Sequence, residues 1–408
     1  MRHIVSLKYY SNRTILLVML VILGLVSSRA LISISTGLLA VNLLLSYKEH
    51  EWHFFSSKKI AALVPALIFT GTILFLFLSP DFTTGLNQLY YRLPWLVIPV
   101  SVAAIKKLDT QLIQIVLAYF VLILSVSGLI VLGNYLLHYE FYNEQLRLAK
   151  NIPTPLNHIR YSLMLAFGGA SSLYFAIRNN THISPWDRTF FSITGLFLII
   201  LLHILSVRSG ILCFYLSIGV LVVYLTFIYG KWWIIPIGTI LLFFILAIAY
   251  FSLPSLQNKI SYMRYDLQQI QTGDIGHNSD GRRWRSLLVA KDLIKEKALS
   301  GYGIGQVEAA SKTFYQAHYP QVEEHNQKVP HNQFLYSGVE MGVMGILFIL
   351  SLFIAPVLLV SLKEYPIFIF LNVIVMASCL VENTMESQIG MSFYLIFSSL
   401  LLNESKDE

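Results

Sequence analysis

Residues 331–361 read HNQFLYSGVEMGVMGILFILSLFIAPVLLVS, a histidine and an asparagine followed by a long apolar run broken by a single carboxylate, Glu340. About twenty apolar residues in a helix cross the hydrocarbon core of a bilayer. A helix also satisfies its own backbone polar groups there. The stretch therefore predicts a helix that starts at a water-facing rim with an imidazole and descends into lipid. Glu340 lies nine residues below His331, roughly 13 Å along a helix axis, and a carboxylate at that depth calls for a partner such as an arginine or a cluster of hydroxyls. Gly338, Gly342 and Gly345 are expected to give one face of this helix a smooth surface for close packing or lipid passage.

Working outward, the whole chain has the same character. Of 408 residues, 56% are hydrophobic and 12% charged, and the mean hydropathy is +0.64. A water-soluble surface requires more charge than that. Twelve candidate spans lie near 12–28, 30–46, 60–80, 93–105, 111–133, 159–178, 189–207, 209–228, 232–251, 333–361, 366–381 and 388–402. The fourth is short and contains Pro94 and Pro99, which predicts a broken or tilted segment. The first follows Arg2, Lys8 and Arg13, but Ser27-Ser28-Arg29-Ala30 is a poor cleavage site and more apolar sequence follows at once, so an uncleaved span is expected. The chain thus divides into a bundle of nine helices over 1–251, a long polar loop over 252–330, and a last group of three helices with a short tail over 331–408.

Lysine and arginine in the short loops set the orientation. With a cytoplasmic N-terminus that side holds Arg2, Lys8, Arg13, Lys48, Lys58, Lys59, Lys106, Lys107, Arg178, Arg188, Lys231, Lys363 and Lys406. The opposite side holds Arg29, Arg92, Arg147, Lys150, Arg160 and Arg208. Thirteen against six places both termini inside and the loop 252–330 outside. The net charge of +7 is then mostly a topology signal and not a nucleic-acid footprint. Cys213 and Cys379 both fall within spans, so neither a structural disulfide nor a metal site is expected. The tail from Asn403 to Glu408 reads as solvated.

Within the long loop, Arg282 to Leu299 has helical periodicity, with Trp284, Leu287, Leu288 and Ile294 available to one face. Its excess of Arg and Lys suits a basic amphipathic helix that lies on anionic headgroups or covers a cavity. Ser300-Gly301-Tyr302-Gly303-Ile304-Gly305 follows. No strand precedes it, so a glycine-rich turn ending the helix is a better reading than a phosphate loop.

Three polar sites map to the outward face. Arg208 sits in Leu205-Ser206-Val207-Arg208-Ser209-Gly210, between two apolar runs with almost no loop, where an arginine either meets an anion or snorkels to the interface. The Arg282/Arg283 pair opens the loop helix. His331 begins the tenth span with Asn332 beside it, placed to orient or bind hydroxyls. Asn157, His158, Arg160, Glu382 and Glu386 also face outward. Ordinary interfacial polarity accounts for most of them, and Arg160, which starts a span on the same face, is the strongest further candidate.

With these residues in view, the chain resembles the bacterial O-antigen ligase and O-antigen polymerase superfamily. His331-Asn332-x9-Gly342-x-x-Gly345 matches the family pattern H-[NSQ]-x9-G-x-x-G in full. Ser206-Val207-Arg208-Ser209-Gly210 is similar to its S-x-R-x-G segment, and Asp280-Gly281-Arg282-Arg283 through Gly301-Tyr302-Gly303-Ile304-Gly305 to the arginine, helix and GxGxG portion of its periplasmic loop. These matches cover roughly residues 200–350. The adjacent Arg282 and Arg283 leave the family's single loop arginine ambiguous, with Arg283 preferred.

The resemblance implies an all-α polytopic glycosyltransferase of the GT-C type in a bacterial inner membrane, working at the periplasmic face. It implies an inverting, metal-independent transfer without a cofactor. The donor would be a glycan on undecaprenyl pyrophosphate and the acceptor a sugar hydroxyl, on lipid A-core for a ligase or on a glycan chain for a polymerase. The residues suit that chemistry. A sugar pyrophosphate already has a good leaving group, so the reaction calls for a base of near-neutral pKa and for cations where charge develops. His331 is expected to act as the base or to orient the acceptor, with Arg208 and Arg283 clamping the diphosphate. Arg282, Asn332, Arg160 and Glu340 are the supporting substrate-binding candidates. Membrane lipids are expected partners and nucleic acid is not. A ligase is preferred over a polymerase or a protein-directed oligosaccharyltransferase. A transporter or flippase, the reading from another class, predicts ionisable groups near mid-membrane, whereas the charges here gather at one face.

Overall fold

The structure is a computed structural model that describes residues 9–47, 56–105, 108–148, 150–177, 184–271, 279–361 and 365–405. Eight of the thirteen basic residues counted on one side (Arg2, Lys8, Lys48, Lys106, Lys107, Arg178, Lys363 and Lys406) lie outside the described residues. The protein is built of α-helices, with one pair of two-residue strands. Among the described residues, seven helices are long and apolar enough to cross a membrane: α1 (Tyr10–Ser27), α3 (Ser57–Leu76), α6 (Thr110–Leu137), α9 (Pro185–Leu205), α10 (Arg208–Tyr229), α11 (Ile234–Ser252) and α15 (Gln333–Leu359). Three shorter apolar helices accompany them: α2 (Arg29–Leu45), α16 (Pro366–Val381) and α17 (Gln388–Leu402). This is a polytopic membrane protein. The remaining helix of the bundle, α8 (His158–Ile177), packs most extensively against α9. The expected short segment with two prolines is a single ten-residue helix, α5 (Pro94–Ala103), with Pro94 in its first turn and Pro99 inside it, and a separate helix, α4 (Phe82–Tyr91), precedes it.

Local chemistry sets several helix starts. Ser184 and Asp187 form a reciprocal capping box before α9, with Pro185 at its first position. Asp81 accepts the Thr83 and Thr84 amides at the start of α4. The centre of the bundle is α17, in which every residue from Ile389 to Leu402 is buried. Phe120 and Phe397 pack there with tilted rings, centroids 4.7 Å apart, and Phe167 and Phe393 close the cluster. α11, by contrast, buries no residue at all. In lipid the difference is one of neighbours and not of solvent, because α11 faces hydrocarbon.

The end of the chain departs from the solvated tail expected from sequence. The Asn403 side-chain amide donates to Val102 O at 2.8 Å, and Glu404 and Ser405 pair in parallel with Leu108 and Asp109. The chain end is thereby stitched to the end of α5, where the backbone has groups to satisfy.

The long loop is mostly helical: α12 (Pro254–Gln271), α13 (Ser279–Glu296) and α14 (Val307–His318). Its small core joins Val289, Ala290 and Leu293 of α13 to Val307, Phe314 and Tyr315 around α14 and to Val339 of α15. The buried face of α13 is therefore rotated from the expected one. Trp284 and Leu288 are exposed, while Ser286, Val289, Ala290 and Leu293 face inward. Of the expected set Ile294 does pack against this core, but α13 meets α14 and α15 chiefly through small and medium side chains.

α15 also departs from the expected even helix. Met341 and Gly342 have non-helical backbone angles, and Gly342 sits at φ +65. The break exposes main-chain groups, and the glycine-rich turn 301–305 docks on them. The Tyr302 amide donates to Val339 O, the Gly303 amide to Glu340 O, and the Val343 amide to Ala298 O, all at 2.8–3.0 Å. A Cβ on Gly342 would lie 2.3 Å from Ala298 O. The glycines of the histidine motif thus do not make a smooth stripe. Gly342 breaks the helix and lets the outer turn lock onto it.

Candidate functional site

The site is assembled where α8, α10, α12, α13 and the ends of α15 and α16 meet. Ser206 ends α9 in the left-handed region at φ +52, and its hydroxyl bonds His203 O and Ser255 Oγ. This tight turn places Arg208 at the first position of α10, with no side chain capping that helix start. Two residues later, a Cβ on Gly210 would lie 2.3 Å from Ser162 Oγ of α8. Each part of the Ser-x-Arg-x-Gly pattern therefore has a physical role. The serine turns the chain, the glycine admits a close helix, and the arginine is held at a positively polarised helix end.

A cavity of about 250 Å³ opens at this point. Arg208, Arg283, Lys259 and His158 bring basic groups to its wall, and Asn151, Tyr262, Asp280 and Val381 also line it. Arg208 grips Asp280 with two bonds, Nη1 to Oδ2 at 2.6 Å and Nη2 to Oδ1 at 3.1 Å. The Lys259 ammonium donates to Asn151 Oδ1 at 2.9 Å.

Glu382, at the end of α16, connects this cavity to His331. Its Oε2 lies 3.2 Å from His331 Nδ1 and 3.7 Å from an Arg160 nitrogen, and its Oε1 lies 2.8 Å from Arg283 Nη2. The Arg283 contact is an ion pair without hydrogen-bond alignment. Burial would raise the Glu382 carboxyl, but the bond to His331 and the charges of Arg283, His331 and Arg160 together hold it below the usual carboxylate range. The carboxylate stays ionised and ties the histidine to both arginines. His331 is further held to α13 through its backbone amide, which donates to Ser286 Oγ at 3.4 Å.

Of the residues singled out from sequence, the structure thus brings Arg208 and Arg283 to one cavity, with His331 joined to its wall through Glu382. The others are placed differently. Arg282 turns away and donates to Asn326 Oδ1 at 2.6 Å. Both ends of the Asn332 side chain are engaged: Oδ1 caps α15 at the Leu335 amide and Nδ2 donates to Leu380 O. Arg160 is buried and anchors the turn after α16 through Ser387 Oγ and Asn383 O. Glu340 is not brought to the cavity. It is wholly buried, 2.8 Å from Arg92 Nη2, with its other oxygen accepting the Gly305 amide.

Arg92 also meets Glu386 at 2.7 Å, and Gln88 and Gln333 donate to the same carboxylate. From sequence Arg92 enters only the topology count, and Glu382 and Glu386 read as ordinary interfacial polarity. Two signals were present. A carboxylate below the rim requires a cation, and two acids four residues apart between apolar helices are costly without partners.

Residues 193–350 match the O-antigen ligase family, so the chain carries a domain of that family from α9 into α15. The matched region includes Arg208, Asp280, Arg283, His331 and Glu340. It leaves out Arg92, Arg160, Glu382 and Glu386. No curated protein matches the chain. The family is one of lipid-linked glycan transfer at a membrane.

Proposed function

We propose that the protein is an O-antigen ligase. It transfers a glycan from undecaprenyl pyrophosphate to a sugar hydroxyl of lipid A-core, with inversion and without a metal ion. The observation that carries this reading is that Arg208 and Arg283 line one cavity while Glu382 ties His331 to Arg283 on its wall. Glu382 at Nδ1 fixes the tautomer that leaves Nε2 basic. In this reading Nε2 accepts the proton of the attacking hydroxyl, or orients that hydroxyl, as the bond from anomeric carbon to diphosphate oxygen breaks. Arg208 and Arg283 take up the negative charge that develops on the departing diphosphate. The uncapped start of α10 adds backbone dipoles to the same place.

A lipid-linked donor also fits the surroundings. Leu212, which lines the polar cavity, begins an apolar groove of about 410 Å³ that continues along α10 past Leu216, Gly219 and Val223. A lipid chain leaving the cavity enters the hydrocarbon layer there. In the full reading twelve spans of GT-C type cross a bacterial inner membrane, with both termini cytoplasmic and the cavity facing the periplasm. Helices occupy all twelve sequence-defined ranges, which supports the number of spans.

The test is reconstitution of the purified protein with a glycan on undecaprenyl pyrophosphate and with lipid A-core, without an ion gradient. Glycan transfer supports the enzyme; movement of donor across the bilayer without transfer would favour a flippase. A polymerase of the same superfamily is separated by deleting the gene and analysing the lipid carrier. Long glycans retained on the carrier indicate a ligase, and single repeat units a polymerase.

A further inference from the structure

The Arg208 fork poses a selectivity problem if, as proposed above, it binds a diphosphate at a bilayer surface. Net-anionic phosphodiester headgroups such as that of phosphatidylglycerol carry one negative charge with no cation of their own, match a guanidinium well, and greatly outnumber any lipid-diphosphate donor. In the structure the fork is already held by Asp280 through two bonds. The pair is only partly covered, with side-chain exposures of 32% for Arg208 and 24% for Asp280, so an incoming anion can reach it. The Arg92–Glu340 pair, at 7% and 0%, is closed by comparison.

We propose that Asp280 is a specificity-determining residue, whose carboxylate occupies the Arg208 fork against singly charged phosphate headgroups and yields it to a diphosphate. Asp280 lies in the first turn of α13, three residues before Arg283, and is tethered at the cavity. A tethered carboxylate acts at a high effective concentration. A phosphodiester that displaces it exchanges one negative charge for another at Arg208 and gains little. A diphosphate brings a second charge, which Arg283 on the same cavity wall can take, so it gains a contact that the headgroup does not. Lys259, also on that wall, adds to the attraction for the more highly charged ligand.

The inference rests on the diphosphate reading, and the experiment separates the two. Wild type, Asp280→Asn and Asp280→Glu are placed in nanodiscs of phosphatidylcholine alone or of phosphatidylcholine with phosphatidylglycerol. Turnover is read at sub-saturating undecaprenyl-pyrophosphate donor. Wild type and Asp280→Glu are expected to differ little between the two lipids. Asp280→Asn is expected to lose about tenfold in the anionic lipid relative to the neutral one, the ratio for a charge-assisted contact that opens to a competitor. Equal lipid ratios for Asp280→Asn and wild type overturn the proposal. So does a loss of turnover by Asp280→Asn in both lipids, since Asp280 would then position Arg208 and not guard it. Wild type inactive in both lipids counts against the donor reading instead. In that case native mass spectrometry of retained phosphatidylglycerol still decides the role of Asp280, with more lipid held by Asp280→Asn expected and equal retention overturning it.

Discussion

Glu382 and Glu386 leave the same short turn between α16 and α17 but enter different surroundings. Glu386 goes inward to Arg92, Gln88 and Gln333, in a cluster where Arg92 is 7% exposed and Glu340 fully buried. Glu382 goes to His331 and Arg283, which are 24% and 37% exposed beside a cavity. Both clusters pair arginine with carboxylate. One has its charges satisfied within the protein and locks α4, α15 and the glycine-rich turn together. The other keeps cationic edges within reach of a ligand. Access and not residue type separates a structural ion pair from a binding site.

This contrast can be broken by mutation, because one cluster should fail in stability and the other in turnover. His331→Ala is expected to cut glycan transfer by about a hundred- to ten-thousandfold, with a loss of stability no larger than that of one hydrogen bond, about 1–2 kcal/mol. A stability loss several times larger would place His331 in the structural class. Arg92→Ala is expected to lower stability by about 3–5 kcal/mol, since it leaves the buried Glu340 and the partly buried Glu386 without their cation. Transfer per folded molecule should be nearly kept, and a selective loss of turnover in the folded fraction would move Arg92 into the active class. Arg208→Lys tests the fork itself. An ammonium cannot reproduce two parallel bonds, and about a hundredfold loss in transfer is expected at normal folding; near-wild-type activity would remove Arg208 from the diphosphate clamp.

The smallest effect is a pH dependence at Glu382. Its carboxyl is held below its ordinary 4.5 despite burial, by the bond to His331 and the nearby arginines. A depressed carboxylate contributes stability that is present above the ordinary value and is lost as pH falls through the lowered one. Wild type should therefore lose more stability than Glu382→Gln on going from about pH 5 to about pH 3. Parallel unfolding curves for the two proteins would show that the Glu382 contacts are not coupled to folding.

Much of the architecture was legible in the residues. The apolar runs 366–381 and 388–402 coincide with α16 and α17, and the other expected spans lie within a few residues of helices. The long-range pairings were less legible. Glu340 announced the need for a cation, but nothing local pointed to Arg92, 248 positions away. Asn332 looked like a group for substrate hydroxyls, yet its side chain is taken up by capping α15 and by Leu380 O. The buried face of α13 was misread because its neighbours there are α14 and the start of the spanning helix α15, not lipid.

The sequence by itself determined the helices and the histidines and arginines that stand at their polar rim, because hydrophobic run length, turn residues and side-chain type act locally along the chain. Only the tertiary structure decided that Arg283 and not Arg282 reaches the cavity, that Glu382 joins His331 to it, and that Glu340 belongs to a closed lock. Those outcomes depend on which charges, distant in sequence, come within a few ångströms when the helices pack, and charge pairing at that range is a property of the fold.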